Sequence, residues 1–193
     1  MDVGRFQYVT ANFGQLQGRR MLPLAALLIV STAWLAGWIR LPGDEHRLAA
    51  SWWFVLGLDV AIAASYVALA WYGITYGSVK QWLVASSAWP MAAALVCIPI
   101  LVEIQQRLNL HFSLTMALLA AAAAARGIAH PLRRHYLAAS APLFAFVLLP
   151  ALGVSASAID ILFPAALGTA LAIAAMGDHR LLATTLKRTL ADV

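Results

Sequence analysis

Charge is what this 193-residue sequence has least of. Asp, Glu, Lys and Arg together make up 11% of the chain, against 63% hydrophobic residues and a mean hydropathy of +0.81. A soluble domain carries about 25% charged residues, because a small particle needs that much polar surface to face water. The shortage excludes a water-soluble globule of this size. A bilayer removes the requirement, since the lipid-facing side of each helix is then apolar. Cysteine is nearly missing too: Cys97 stands alone in an apolar stretch, so neither an intramolecular disulfide nor a cysteine metal cluster can form. No HExxH, Walker A or GxSxG pattern occurs. These absences leave no catalytic residue, no metal site and no cofactor to nominate. A cleavable signal peptide is not expected either, because the first twenty residues are polar and the first apolar run is long enough to span.

What the chain does have is long apolar runs. A hydrocarbon core of about 30 Å takes roughly 20 helical residues. The runs predict an all-α, polytopic membrane protein of six spans, at about residues 21–39, 52–72, 82–102, 110–128, 136–152 and 157–176. The last two are separated by a tight Gly153-Val154-Ser155-Ala156 turn. Residues 1–20 then form a polar lead-in, 21–176 the membrane domain and 177–193 a basic tail.

Orientation follows from the basic residues. With the N-terminus inside, Arg5, Arg19, Arg20, Lys80, Arg126, Arg133, Arg134, Arg180, Lys187 and Arg188 face the cytoplasm, and Arg40, Arg47 and Arg107 face outward. The aromatic belts agree, with Trp38, Trp52 and Trp53 at the outer interface and Trp71, Tyr72, Tyr76 and Trp82 at the inner one. Both termini are therefore expected in the cytoplasm, beneath a bacterial inner membrane. The net charge of +5 reflects this asymmetry rather than nucleic-acid binding.

Within residues 1–20, Phe6, Val9, Phe13 and Leu16 recur at spacings of three and four, with polar residues between. That stripe predicts an amphipathic helix on the cytoplasmic face, closed by Arg19 and Arg20, which can contact anionic headgroups. Leu181 to Leu190 predicts a second short basic helix outside the membrane. Six alanines, Ala120 to Ala125, and the small residues Ala166, Gly168, Ala170, Ala172 and Ala174 predict close packing, within the chain or with a second copy. Pro90, Pro99, Pro142, Pro150 and Pro164 fall within or beside spans and are expected to kink some of them.

Few side chains can carry chemistry. Asp59 is the one acidic residue well inside a span, about 10 Å below the outer interface at 1.5 Å per residue. A carboxylate there is costly unless paired, protonated or facing water. Ser65 and Tyr66 lie deeper on the same helix. Glu103 and Arg107 are spaced for a helical ion pair, and Asp160 opens the sixth span. One expectation is an outward-facing vestibule lined by Asp59, Glu103 and Asp160 that takes a cation or polar group. The alternative makes Asp59 a structural link to another helix. On the inner side, Arg126, His130, Arg133, Arg134 and His135 form a basic loop, a solvated surface or a dock for an acidic partner or lipid phosphates.

Six spans behind an amphipathic cytoplasmic helix resemble the permease subunits of the ABC-2 export type. That resemblance implies an ATPase partner meeting Phe6–Leu16 and the Gly73–Lys80 or Arg126–His135 loops, although the Gly153 turn has no room for a re-entrant segment. Size and topology also resemble the substrate-binding component of energy-coupling-factor importers, which meet their scaffold through small residues on the first span; Ala33 and Gly37 stand there in this chain. The stretch GDHRLL, Gly177 to Leu182, is similar to the ending of small six-span bacterial proteins and implies no activity. The leading expectation is a transport component, a membrane subunit with an ATPase partner or a homodimer. The alternatives are a non-transporting scaffold and a lipid-acting membrane enzyme.

Overall fold

A computed structural model of the chain describes residues 3–40, 47–76, 100, 103–104, 107 and 112–191. The described residues are all-helical, and no strand occurs among them. Helix α1 is Val3–Ala11, and a short 3-10 turn at Gly18–Met21 leads into α2, Leu22–Leu35. Helix α3 is Arg47–Tyr76 and α4 is Leu114–Ala129; a second 3-10 turn, Pro131–Arg133, joins α4 to α5, His135–Leu148, and α6 is Ala156–Ala191. The third predicted span, 82–102, lies outside the described residues save for its end. Pro90, Cys97, Pro99 and Lys80 lie outside them as well.

Among the described residues, three stretches are long and apolar enough to cross a membrane: Gly18–Leu35, Val55–Tyr76 and Ala156–Leu186. Helices α4 and α5, at 16 and 14 residues, are shorter than the expected spans. Local chemistry sets those ends. Ser113 caps α4 by accepting the Met116 N–H at 3.3 Å, and Pro131 follows its last turn, where the ring disfavours a helical residue before it. Beyond Leu148 the chain tightens through Pro150 to Gly153, whose φ of +77° suits glycine.

The end of the chain departs from expectation in the other direction. In place of a span ending near Met176 and a separate tail helix, α6 runs unbroken for 36 residues, about 54 Å. The polar run Gly177-Asp178-His179-Arg180 contains no proline. Thr184 and Thr185 donate their hydroxyls back to the Arg180 and Leu181 carbonyls at 2.8 Å, so both fit inside the helix.

Neighbouring helices pack antiparallel. The first 3-10 turn and α2 together cross α6, with Gly18 beside Ala175 and Ala25 beside Gly168, and meet α3, with Arg19 beside Tyr72 and Leu27 beside Gly57. Gly127 of α4 meets Leu137 of α5, while Met116 packs in one core with Phe146. The small residues of α6 are therefore used within the chain. A Cβ at Gly168 would stand 2.8 Å from the Ala25 carbonyl oxygen. The alanine run of α4 does less than expected: Ala120 is buried, whereas Ala121, Ala122 and Ala125 are exposed. Gly37 sits past the end of α2 at φ +74°, in a turn rather than on a helix face.

Two buried cores result among the described residues. One joins Met116, Ala120, Leu143, Phe146 and Ala170 between α4, α5 and α6. The other lies at one end of the bundle, where Val9, Phe13 and Leu16 pack against Tyr72, Leu181 and Leu182. Outward faces are strongly apolar, as Val60, Ile62, Val67 and Ile74 of α3 show.

Candidate functional site: a polar knot at one end of the bundle

The amphipathic stripe of the N-terminal segment folds onto protein. Val9 and Leu16 are completely buried and Phe13 nearly so, all against the ends of α3 and α6. Helix α1 ends at Ala11, and tight turns carry the chain through Leu16. Gly18 makes the next step possible: a Cβ there would run into the Ala175 carbonyl, so the 3-10 turn lies directly on the α6 backbone. Arg5 fixes the other end of α1, donating to Thr185 Oγ1 and Thr184 Oγ1 at 3.0 Å each.

The run Gly177-Asp178-His179 is the hub around which this end is built. The His135 ring packs against Gly177 where any side chain would stand. Asp178, 4% exposed, meets His135 Nε2 at 3.0 Å through one oxygen and accepts the Tyr136 hydroxyl at 2.8 Å through the other. Consecutive helical residues point about 100° apart, so His179 turns to α3. Its Nδ1 lies 2.8 Å from the Tyr72 hydroxyl oxygen, which also accepts the Arg19 N–H at 3.1 Å. The Arg19 guanidinium covers the Trp71 ring at 4.6 Å. Two adjacent side chains of α6 thus tie together α2, α3 and α5.

Two arginines complete the knot. Arg133, from the second 3-10 turn, is 1% exposed. Its two terminal nitrogens each donate to Gln15 Oε1 at 3.3 Å, and Nη2 also reaches Asn12 Oδ1 at 3.4 Å. Its guanidinium lies 5.5 Å from the Tyr8 ring. Arg126 donates to the same Gln15 oxygen at 3.0 Å and lies over the Tyr136 ring at 4.9 Å. A buried charge needs such partners, because stripping its water without replacement costs several kcal/mol.

The structure therefore brings together Arg19, Arg126, Arg133 and His135 of the basic candidates, but faces Arg133 and His135 inward. The expectation of a solvated loop fails there: Pro131 turns the chain so that Arg133 points at the N-terminal segment. His130 and Arg134 are exposed, with His130 beside the Tyr8 ring, and Arg20 is half-buried.

The residues expected to line a vestibule gather little. Asp59 and Asp160 are exposed. Glu103 and Arg107 form the predicted helical ion pair at 2.8 Å, with both side chains largely in the open. Among the described residues, no hydrogen bond or ion pair joins Asp59, Glu103 and Asp160. Ser65 donates to the Ala61 carbonyl of its own helix, and Tyr66 is exposed. Among the described residues no group of three or more metal-ligating side chains forms.

Sequence reasoning missed Asp178, His179, Tyr72, Tyr136, Asn12 and Gln15 as members of one site. A signal for the first two was present: after Gly177 at the end of an apolar run, three polar residues, Asp178 to Arg180, precede Leu181-Leu182, which continues the helix and invites burial. No protein-family model matches the chain, and neither a curated protein nor a solved structure matches it.

Proposed function

We propose that this protein is the membrane-embedded subunit of a transporter, a six-span chain with both termini in the cytoplasm of a bacterial inner membrane. The observation that carries this reading is the α6 extension with α1 locked onto it. A helix of about 54 Å exceeds a hydrocarbon core by roughly 20 Å. Its protruding part is fastened to the ends of α2, α3 and α5 through Asp178 and His179. Such a rigid platform passes force between a soluble motor subunit and the spans, which suits an ATPase partner better than a solitary channel. The alternating helix directions support six spans: α3 ends in the knot with Tyr76, whereas α4 opens at the far end with Leu114.

Two measurements test this. In a Cys97→Ser background, Ser155→Cys is expected to react with an impermeant maleimide from outside intact cells, and Thr184→Cys only after permeabilisation. The reverse pattern would overturn the topology. Mild-detergent purification of the full chain is expected to retain an ATPase subunit, and the Arg5→Ala variant, which frees the end of α1, is expected to retain less. A chain that purifies alone under cross-linking favours the second reading, a non-transporting scaffold. That reading has its own support in the scatter of Asp59, Glu103 and Asp160. Under it, Asp59→Asn leaves function unchanged.

A further inference from the structure

Two cations converge on one neutral atom in the knot. Arg126 and Arg133 both donate to Gln15 Oε1, at 3.0 Å and 3.3 Å. Among the described residues no carboxylate pairs with either arginine, and the Nε of each is buried without a hydrogen-bond partner. The nearby carboxylate, Asp178, has both oxygens engaged by His135 and Tyr136. An amide oxygen carries only a partial charge, whereas a guanidinium fork is matched by a carboxylate or phosphate that accepts two parallel N–H bonds. The arrangement is thus short of one anion, although it is otherwise ordered: Arg126 is held over Tyr136 and Arg133 over Tyr8.

We infer that the Arg126–Arg133 pair is a binding site for a phosphate group, supplied by an anionic lipid of the leaflet on the knot's side. Gln15 holds the place of that group when no lipid is bound. Position selects lipid over a soluble source. The pair stands where α4 ends and α5 begins, level with Trp71, Tyr72 and Tyr136, residue types that settle at the headgroup layer. Gln15 is exposed and Arg126 half-exposed, so a headgroup arriving sideways meets Gln15 first and displaces it. Basic sites between spans on the cytoplasmic side are suited to such headgroups. This inference needs the membrane reading but not the partner subunit, and purified protein tests it alone.

The full chain is placed in detergent and titrated with phosphatidylglycerol, with phosphatidylcholine and with inorganic phosphate, following thermal stability and retained lipid by native mass spectrometry. Phosphatidylglycerol is expected to stabilise the fold and to remain bound, with phosphatidylcholine at least tenfold weaker. Arg126→Gln removes one charge-assisted contact and is expected to weaken phosphatidylglycerol about tenfold or more. Gln15→Ala is expected to strengthen it, because the competing acceptor is gone; a merely structural Gln15 would give a less stable protein with unchanged lipid selectivity. Equal response to both lipids, or selectivity that survives Arg126→Gln, would overturn the site. Saturation by inorganic phosphate at millimolar level, with no added effect of lipid, would overturn the lipid source.

Discussion

The two ends of this bundle are built on opposite principles. At the knot, polar and aromatic side chains from the N-terminal segment, α3, α4, α5 and α6 are joined by hydrogen bonds and ring contacts, and Arg133 and Asp178 have almost no exposure. At the far end, Trp38 is 81% exposed and Asp160 is open; Asp59, midway along α3, and the Glu103–Arg107 pair are exposed as well. The contrast shows where the chain spends its few charges: 11% of its residues are charged, and among the described residues the two buried ones, Arg133 and Asp178, both lie in the knot. A buried ion that loses its partner is far more damaging than an exposed one, so the ends should answer substitution differently.

The largest effect is expected at Asp178. Asp178→Ala leaves the Tyr136 hydroxyl and His135 without their acceptor and opens the junction of α5 with α6, with a loss of about 3–5 kcal/mol. Thermal unfolding in detergent, followed by size-exclusion fluorescence, measures it. Asp178→Asn keeps the shape and an acceptor oxygen and should retain more of the stability. Equal loss in the two variants would mean that the charge, rather than the hydrogen bonds, holds the junction.

Next comes the docking of the N-terminal segment. Leu16→Ala removes a fully buried side chain from the core with Tyr72 and Leu182, at about 2–4 kcal/mol. If the N-terminal segment instead lay on the lipid surface, the change would lower membrane affinity but leave the melting temperature alone. Gly18→Ala follows at about 1–3 kcal/mol, since its Cβ meets the Ala175 backbone and one of the two helices must shift. Limited proteolysis of residues 3–16 distinguishes these variants from general unfolding: both should expose the segment before the bundle melts.

Much of this was legible in the sequence, and the exceptions have physical reasons. Apolar runs of spanning length fix the helical class and the positions of α2, α3 and α6, because lipid accepts backbone only when its hydrogen bonds are closed locally. The period of Val9, Phe13 and Leu16 located a stripe but not its counterpart. A stripe bound for lipid and one bound for Leu181 and Leu182 read alike. Arg133 and His135 look like any basic loop until Pro131 turns them inward, a three-dimensional fact that charge counting does not carry. Asp59 drew notice because an acid within an apolar run is conspicuous, whereas Asp178, just past the run, looked ordinary. The long-range pairs that matter, such as Gln15 with Arg126, are separated by 111 positions, and nothing local marks them.

The smallest effect is expected outside the knot, at the Glu103–Arg107 pair. Glu103→Gln breaks an ion pair whose side chains are 57% and 78% exposed. Water screens each partner, and holding two long side chains together costs rotamer entropy, so the pair is worth under about 0.5 kcal/mol. The melting temperature should fall by less than a degree or two, within scatter, and 0.5 M salt should erase even that, because the Debye length then drops below about 5 Å. The same salt should barely touch the Asp178 junction, where the partners are out of water. A loss at Glu103 approaching that at Asp178 would mean that this pair is buried against something in the membrane, another subunit or a second copy. Buried charge would then not be confined to the knot, and the vestibule expected around Asp59, Glu103 and Asp160 would again be a candidate working site.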